Sequence, residues 1–236
     1  MLRIVIAALL TFSAATAGAQ TTHTGTFDFR LAGIPAGVVS FSAVEDGRQY
    51  SAAARAQSSG LVSIVRSLTY DARATGRLTP RGFVPTRYQE SADTGERVSQ
   101  AVMEYVRGVP QVKSYDPPQE ARASDVDPAT QGGTVDPMTA IFALLRDVPR
   151  AEVCRLDVPV FDGRRASRVS TASPKAQGDR IVCDGEYRRV AGFSDRQMRE
   201  KTRFPFSITY VPAGERYRVS RIEIDTLYGR AVLDRR

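Results

Sequence analysis

Few of the usual chemical tools are present in this chain of 236 residues. It has a single histidine, His23, two cysteines and no tryptophan. Its only lysines are Lys113, Lys175 and Lys201. A lone histidine near the start leaves no base for a histidine-dependent triad. The chain also lacks the ligand set of a zinc site. Gly-x-Ser-x-Gly, Gly-x-Gly-x-x-Gly and a phosphate-cradling Gly-Lys-Ser/Thr are all absent. No cofactor and no metal is therefore expected. Asp125, Asp127 and Asp136 are not spaced as a calcium loop and read as solvated acids. After the first twenty residues no apolar run is long enough to cross a bilayer as a helix, so the mature chain is expected to have no transmembrane segment.

Those first residues carry an address. Arg3 is a positive n-region, residues 4–12 are a short apolar core, and Ala17-Gly18-Ala19 is a small-x-small cleavage site before Gln20. The expectation is a signal peptide over 1–19, cleaved after Ala19. Residues 20–236 would then form one β-rich periplasmic domain. No cysteine follows the cleavage site, so no lipid anchor is expected.

The net charge is +7, supplied almost wholly by arginine. The arginines are scattered rather than striped, which speaks against nucleic acid as a partner. A mildly basic surface still suits anionic lipid headgroups. The densest basic stretch is Arg188, Arg189, Arg196, Arg199, Lys201 and Arg203. It reads as a solvated turn region beside a strand, with the rim of an anion-binding pocket as the alternative. In an oxidising compartment Cys154 and Cys183 read most simply as a disulfide.

Apolar residues recur mostly with period two, the mark of half-buried strands. Phe27, Phe29 and Leu31 alternate with polar neighbours, as do Val39, Phe41 and Ala43. Gly33 to Gly37 reads as a turn between them, and Asp46-Gly47 as the next. Residues 49–57 read as a third strand of small residues. Phe204, Phe206, Ile208 and Tyr210 form another alternating run, turned by Pro212 to Glu215. On the return strand Tyr217 and Val219 share one parity and Ile222 and Ile224 the other, which predicts a bulge near Ser220 or Arg221. Ser59 to Leu68 reads as a buried connector rather than a short helix.

One segment is helical by its signals. Asp136 is placed to cap it, Pro137 suits its first position, and Met138, Ile141, Phe142 and Leu145 form one face. Apolar nearly all round, a helix over about 136–147 must be enclosed. The fold expected is mainly β: a strongly curved antiparallel sheet, a half-open barrel, wrapped around this buried helix. Residues 114–135, rich in Pro, Gly and Asp, read as a long exposed loop leading into it. Asp184, Glu186, Glu223 and Asp225 are the carboxylates available for a glycosidase pair. Their alternation along strands reads instead as a solvent face.

Several stretches carry a resemblance to a known family. They are Asp136-Pro137-Met138-Thr139-Ala140, Cys154 with Val158-Pro159-Val160-Phe161-Asp162-Gly163-Arg164-Arg165, and Cys183 with Tyr187 and Val190-Ala191-Gly192-Phe193. Ser59-Gly60-Leu61 and Pro85-Thr86-Arg87-Tyr88 extend it towards the amino terminus. Together these resemble domain-of-unknown-function (DUF) family 3108, a family of exported bacterial proteins. Ala166 departs from the pattern, standing where an aromatic is expected. The resemblance implies a lipoprotein-localisation-factor-like (LolA/LolB-like) curved sheet around helix, a role in the cell envelope and no established catalytic residue. The expected function is non-enzymatic: a lipid, lipidated or hydrophobic ligand held in the concavity, lined by Phe142, Leu145, Phe204, Phe206 and Ile208. The alternatives are an envelope interaction protein without a small ligand and, last, a hydrolase of envelope polymer. Expected partners are a lipid, a lipoprotein or an envelope protein.

Overall fold

Successive hairpins generate the architecture, because nearly every strand pairs with the next one in the chain. The computed structural model describes residues 20–59 and 67–236. The leader and most of the 59–68 connector lie outside the described residues. The first half is β1 (Thr21–Leu31), β2 (Ile34–Asp46), β3 (Gln49–Ser58), β4 (Thr69–Thr79), β5 (Gly82–Asp93), β6 (Val98–Val106) and β7 (Val109–Asp116). Then come the helix α1 (Pro137–Leu145) and a short strand β8 (Val148–Pro149). The second half is β9 (Asp157–Phe161), β10 (Ala166–Gln177), β11 (Arg180–Ala191), a small helix α2 (Asp195–Glu200), β12 (Arg203–Ala213), β13 (Arg216–Thr226) and β14 (Gly229–Arg235).

These strands form one antiparallel sheet in the order β7-β6-β5-β4-β3-β2-β1-β14-β13-β12-β11-β10-β9, with β8 paired to β13. The two meanders join where β1 meets β14, Phe27 opposite Arg235 and Leu31 opposite Ala231. The mainly β, curved-sheet expectation holds. Bulges supply much of the bend. In β13, Thr209 faces Arg221 while Tyr210 faces Val219, so Ser220 is the extra residue, as the change of parity predicts.

The first turn is tighter than the sequence suggests. Only Ala32 and Gly33 make it, both with positive φ, as a two-residue hairpin requires. Ile34 to Gly37 already belongs to β2. Pro35 and Gly37 are tolerated there because the register slips beside them, leaving Ala36 unpaired between Arg30 and Phe29.

Helix α1 starts where expected and ends sooner. Asp136 Oδ1 accepts the Thr139 amide at 2.8 Å, the N-cap bond. The chain turns extended at Arg146. His23 contributes to that exit: its Nδ1 accepts the Asp147 amide at 3.1 Å. Asp147 also takes both Nε and Nη2 of Arg218. The helix is enclosed. Met138, Phe142 and Leu145 are buried against a sheet surface of small residues, Ala43, Ala52, Ala72 and Ala74. Ala52 faces Ala43 on one side and Ala74 on the other, so the wall is smooth enough for close approach. The Phe142 ring then sits 5.2 Å from Tyr50 and 5.5 Å from Phe83. Each large apolar side chain fully buried this way contributes roughly 1.5–3 kcal/mol.

The segment expected as an exposed loop has a structural task. β7 runs to Asp116, and residues 117–135 then cross between the sheet's two edge strands. The Gly133 amide donates to Gly108 O beside β7, at 3.0 Å. Val135 forms a parallel bridge with β9, donating to Pro159 O and accepting from the Phe161 amide. Arg164 holds the middle, donating to Asp125 and Gln119 while lying over the Tyr115 ring. Edge groups that would otherwise invite another strand are thus partly occupied.

Cys154 and Cys183 form a disulfide, Cα to Cα 5.4 Å, tying the approach to β9 onto β11.

Candidate functional site

The hairpins divide the sheet into two ends. At the helix end lie α1 and the turns at Gly47, Gly108 and Gly214. At the other, here the rim end, lie the turns at Ala32-Gly33, residues 94–97 and Leu227-Tyr228, together with α2. None of the five expected cavity-lining residues lines either of the two concavities described below. Phe142, Leu145, Phe206 and Ile208 are all buried members of the main core. Phe204 is buried separately, its ring 5.7 Å from Tyr187 and capped by Arg189 and Lys201, each 4.9 Å from its centroid. A sequence shows that such residues turn inward; it does not show whether the interior is filled.

Two concavities are instructive. The larger, about 1,020 Å³, is a cleft at the helix end. Tyr50 and Tyr105 help to line it, and Asp46, Arg77, Arg107, Ser51, Thr75 and Thr86 give it a wet border. The smaller, about 390 Å³, lies at the rim end between β1, β2, β3 and β14. Phe29, Leu31, Val38, Val39, Ala56, Leu68 and Leu233 line it. Among the described residues its only polar lining side chains are those of Gln57 and Ser58. Sequence pattern placed Phe29, Leu31 and Val39 on inward faces. It did not bring Leu233 and Ala56 to them, because that depends on the β1–β14 closure.

One strand away the interior turns polar. Tyr70 faces Ala56 across the β3–β4 ladder. The Tyr88 hydroxyl donates to Glu90 Oε2 at 2.6 Å, and Tyr70 donates to the same oxygen. Burial raises the Asp162 carboxyl above its ordinary range, although it accepts the amides of Arg164 and Arg165. Burial likewise pushes the Tyr115 hydroxyl up to about 12. The rim end therefore has a carbon-lined side and a tyrosine-carboxylate side.

The other candidate residues resolve individually. Asp184 pairs with Lys175, Glu186 with Arg203, Glu223 with Arg221 and Asp225 with Arg230. All four carboxylates are thus on cation-paired faces of their strands. Asp125 pairs with Arg164, Asp127 caps a short 3-10 turn at Pro128–Thr130, and Asp136 caps α1. Among the described residues no acidic, histidine or cysteine group is arranged to hold a metal. The basic stretch is only partly a solvated turn. Arg189 lies between Phe193 and Phe204 and donates to Gln197 O and Lys201 O.

The model of the DUF3108 family, proteins of unknown function, matches residues 26–194. The chain belongs to the DUF3108 family. Among solved structures it is similar to the β-barrel-like protein of domain of unknown function DUF1849 from Brucella abortus, at 11% identity and a TM-score of 0.49, over 91% of this chain and 95% of that chain. No curated protein matches.

Several of the stretches that carry the resemblance to DUF3108 form tightly bonded junctions of the fold. Asp136 and Thr139 begin α1, and the Thr139 hydroxyl joins Asp136 at 2.7 Å and Tyr50 at 2.8 Å. Asp162, Arg164 and Arg165 build the turn between β9 and β10 against the crossing segment. Gly192, at φ +85°, packs so tightly that a Cβ there would come within 2.3 Å of Arg164 O. The matched range stops before β12. The last three strands nonetheless complete the sheet and supply Leu233 to the apolar pocket.

Proposed function

We propose that this DUF3108 protein is a non-enzymatic, exported protein of the bacterial cell envelope. It acts in the periplasm and holds the hydrocarbon part of a lipid, lipidated or hydrophobic ligand. The observation that supports this most is the 390 Å³ pocket at the rim end, whose walls are Phe29, Leu31, Val38, Val39, Ala56, Leu68 and Leu233. Carbon walls of this kind favour an acyl chain through burial and offer little to a sugar or a peptide backbone. The adjoining Tyr70–Tyr88–Glu90 group would meet the polar end of such a ligand. The role assigned is that of a lipoprotein-localisation-factor-like carrier. The ligand's place, however, is beside β1 and β14 rather than around α1. The pairing of Asp184, Glu186, Glu223 and Asp225 with cations favours binding over hydrolysis.

The test is native mass spectrometry of the processed protein purified from the periplasm, with organic extraction of the bound material. Uptake of fatty acid or lipopeptide is then compared with an Ala56→Phe variant, which fills the pocket. A stoichiometric adduct lost in the variant supports the carrier reading. A clean mass with no uptake by either protein overturns it, leaving an envelope interaction protein without a small ligand.

A further inference from the structure

The large apolar side chains left exposed are not scattered. Among the described residues all but Val106 stand at the rim end: Ile34, Leu68, Val98, Val190, Leu227 and Tyr228, the last 79% exposed. They sit on different hairpins that the register gathers into one row. Gly95, in the turn before Val98, lies against Ser67. Ser58 donates to Leu68 O, and Gly37 faces Ser58. Ala32, beside Ile34, donates to Arg230 O next to the Leu227-Tyr228 turn. Lys201 Nζ donates to Asp225 O on the far side of that turn, and Arg188 faces Arg203 just before Val190.

Single exposed apolar residues are ordinary, but a row of hairpin tips at one end of a sheet calls for a partner. The charges around it indicate which one. Arg196 and Arg199 on α2 are exposed at this end with Lys201 beside them, whereas Arg230 and Arg203 are paired with Asp225 and Glu186, and Arg97 stands beside the exposed Asp93 and Glu96. Asp195 and Glu200 are the acids within the basic stretch at 188–203. Apolar tips beside the cation-rich 188–203 stretch fit the boundary between acyl chains and anionic headgroups. The tips are too short to span a bilayer, and no described helix is long and apolar enough to do so.

We infer that the rim end docks onto the surface of an anionic phospholipid bilayer, with Leu227 and Tyr228 entering the interface and Arg196 and Arg199 facing lipid phosphates. This surface stands independently of the pocket, and the two are tested by different measurements. The apolar pocket lies at the same end, and Leu68 both lines it and stands in the exposed row.

The chain has no tryptophan, so a single introduced one reports position cleanly. Tyr228→Trp and, at the opposite end, Val106→Trp are mixed with vesicles of phosphatidylcholine alone or with phosphatidylglycerol. Docking predicts a blue shift of Tyr228→Trp only with the anionic vesicles, reversed by high salt, and none for Val106→Trp. Co-sedimentation with the same vesicles should fall at least tenfold in the paired variants Leu227→Ser/Tyr228→Ser and Arg196→Glu/Arg199→Glu. Folding of each variant is checked by circular dichroism. The inference is overturned by equal shifts at both ends, by undiminished binding of either paired variant, or by no binding to anionic vesicles. The last result, with the row still exposed, points to a protein partner instead.

Discussion

Asp136 is buried, caps α1, and anchors a chain of hydroxyls from Tyr50 through Thr139. Burial pushes its carboxyl up to about 6, although the bonds from Thr139 pull the other way. An acid whose native pKa exceeds its unfolded value binds its proton more tightly when folded, so ionisation works against folding. This contribution to stability is full only below about pH 4, falls as pH rises towards 6, and levels off above it. A shift of about 2 pH units corresponds to roughly 3 kcal/mol in all, of which about 1 kcal/mol lies between pH 5 and pH 7. Asp136→Asn keeps the cap, because its carbonyl accepts the Thr139 amide and its NH₂ can donate to the Thr139 hydroxyl. It removes the ionisation. Urea unfolding of both proteins at pH 5, 6, 7 and 8, disulfide intact, should show the variant gaining about 1 kcal/mol on the wild type from pH 5 to pH 7. The other titrating groups, including Glu45 and Asp162, are common to both proteins and largely cancel in the difference. Parallel stability curves, or a wild type that gains on the variant as pH rises, would refute the reasoning.

Further outcomes follow from individual contacts. Replacing Cys154 and Cys183 by serine should lower stability by about 3.6 kcal/mol by equilibrium unfolding, the chain-entropy value for a sequence separation of 29. His23→Ala strands the Asp147 amide and removes the imidazole that lies 3.2 Å from the Glu45 carboxylate. A loss of about 1–3 kcal/mol is expected by urea titration, and a neutral effect would show that the exit of α1 is held without His23. Phe142→Ala should cost about 3–5 kcal/mol in the same assay, since rings and helix close around it with no room to collapse. Gly185→Ala would place a Cβ 2.2 Å from the Phe206 ring, so a loss of about 1–3 kcal/mol is expected from thermal unfolding.

Period-two alternation was enough to mark β1, β2, β3 and β12. A parity change was enough to place the bulge at Ser220, because both are properties of a single strand's two faces. The same holds for α1, whose cap and apolar surround are written in nearby residues. Nearness in sequence also sufficed for the Gly47 turn, and compartment logic for the disulfide. Gly33 to Gly37 reads as one turn in sequence but is a two-residue turn followed by a bulge, because glycine and proline mark a bulge as readily as a turn and only pairing distinguishes them. What tertiary structure alone decided is where distant strands meet. The pocket needs Leu233 on β14 beside Phe29 on β1, the exposed row needs hairpins far apart in the chain to end level, and residues 117–135 acquire their role only because both sheet edges lie within reach. Local alternation fixes which side of a strand is apolar; long-range register fixes whether that side is packed, hollow or open to a partner.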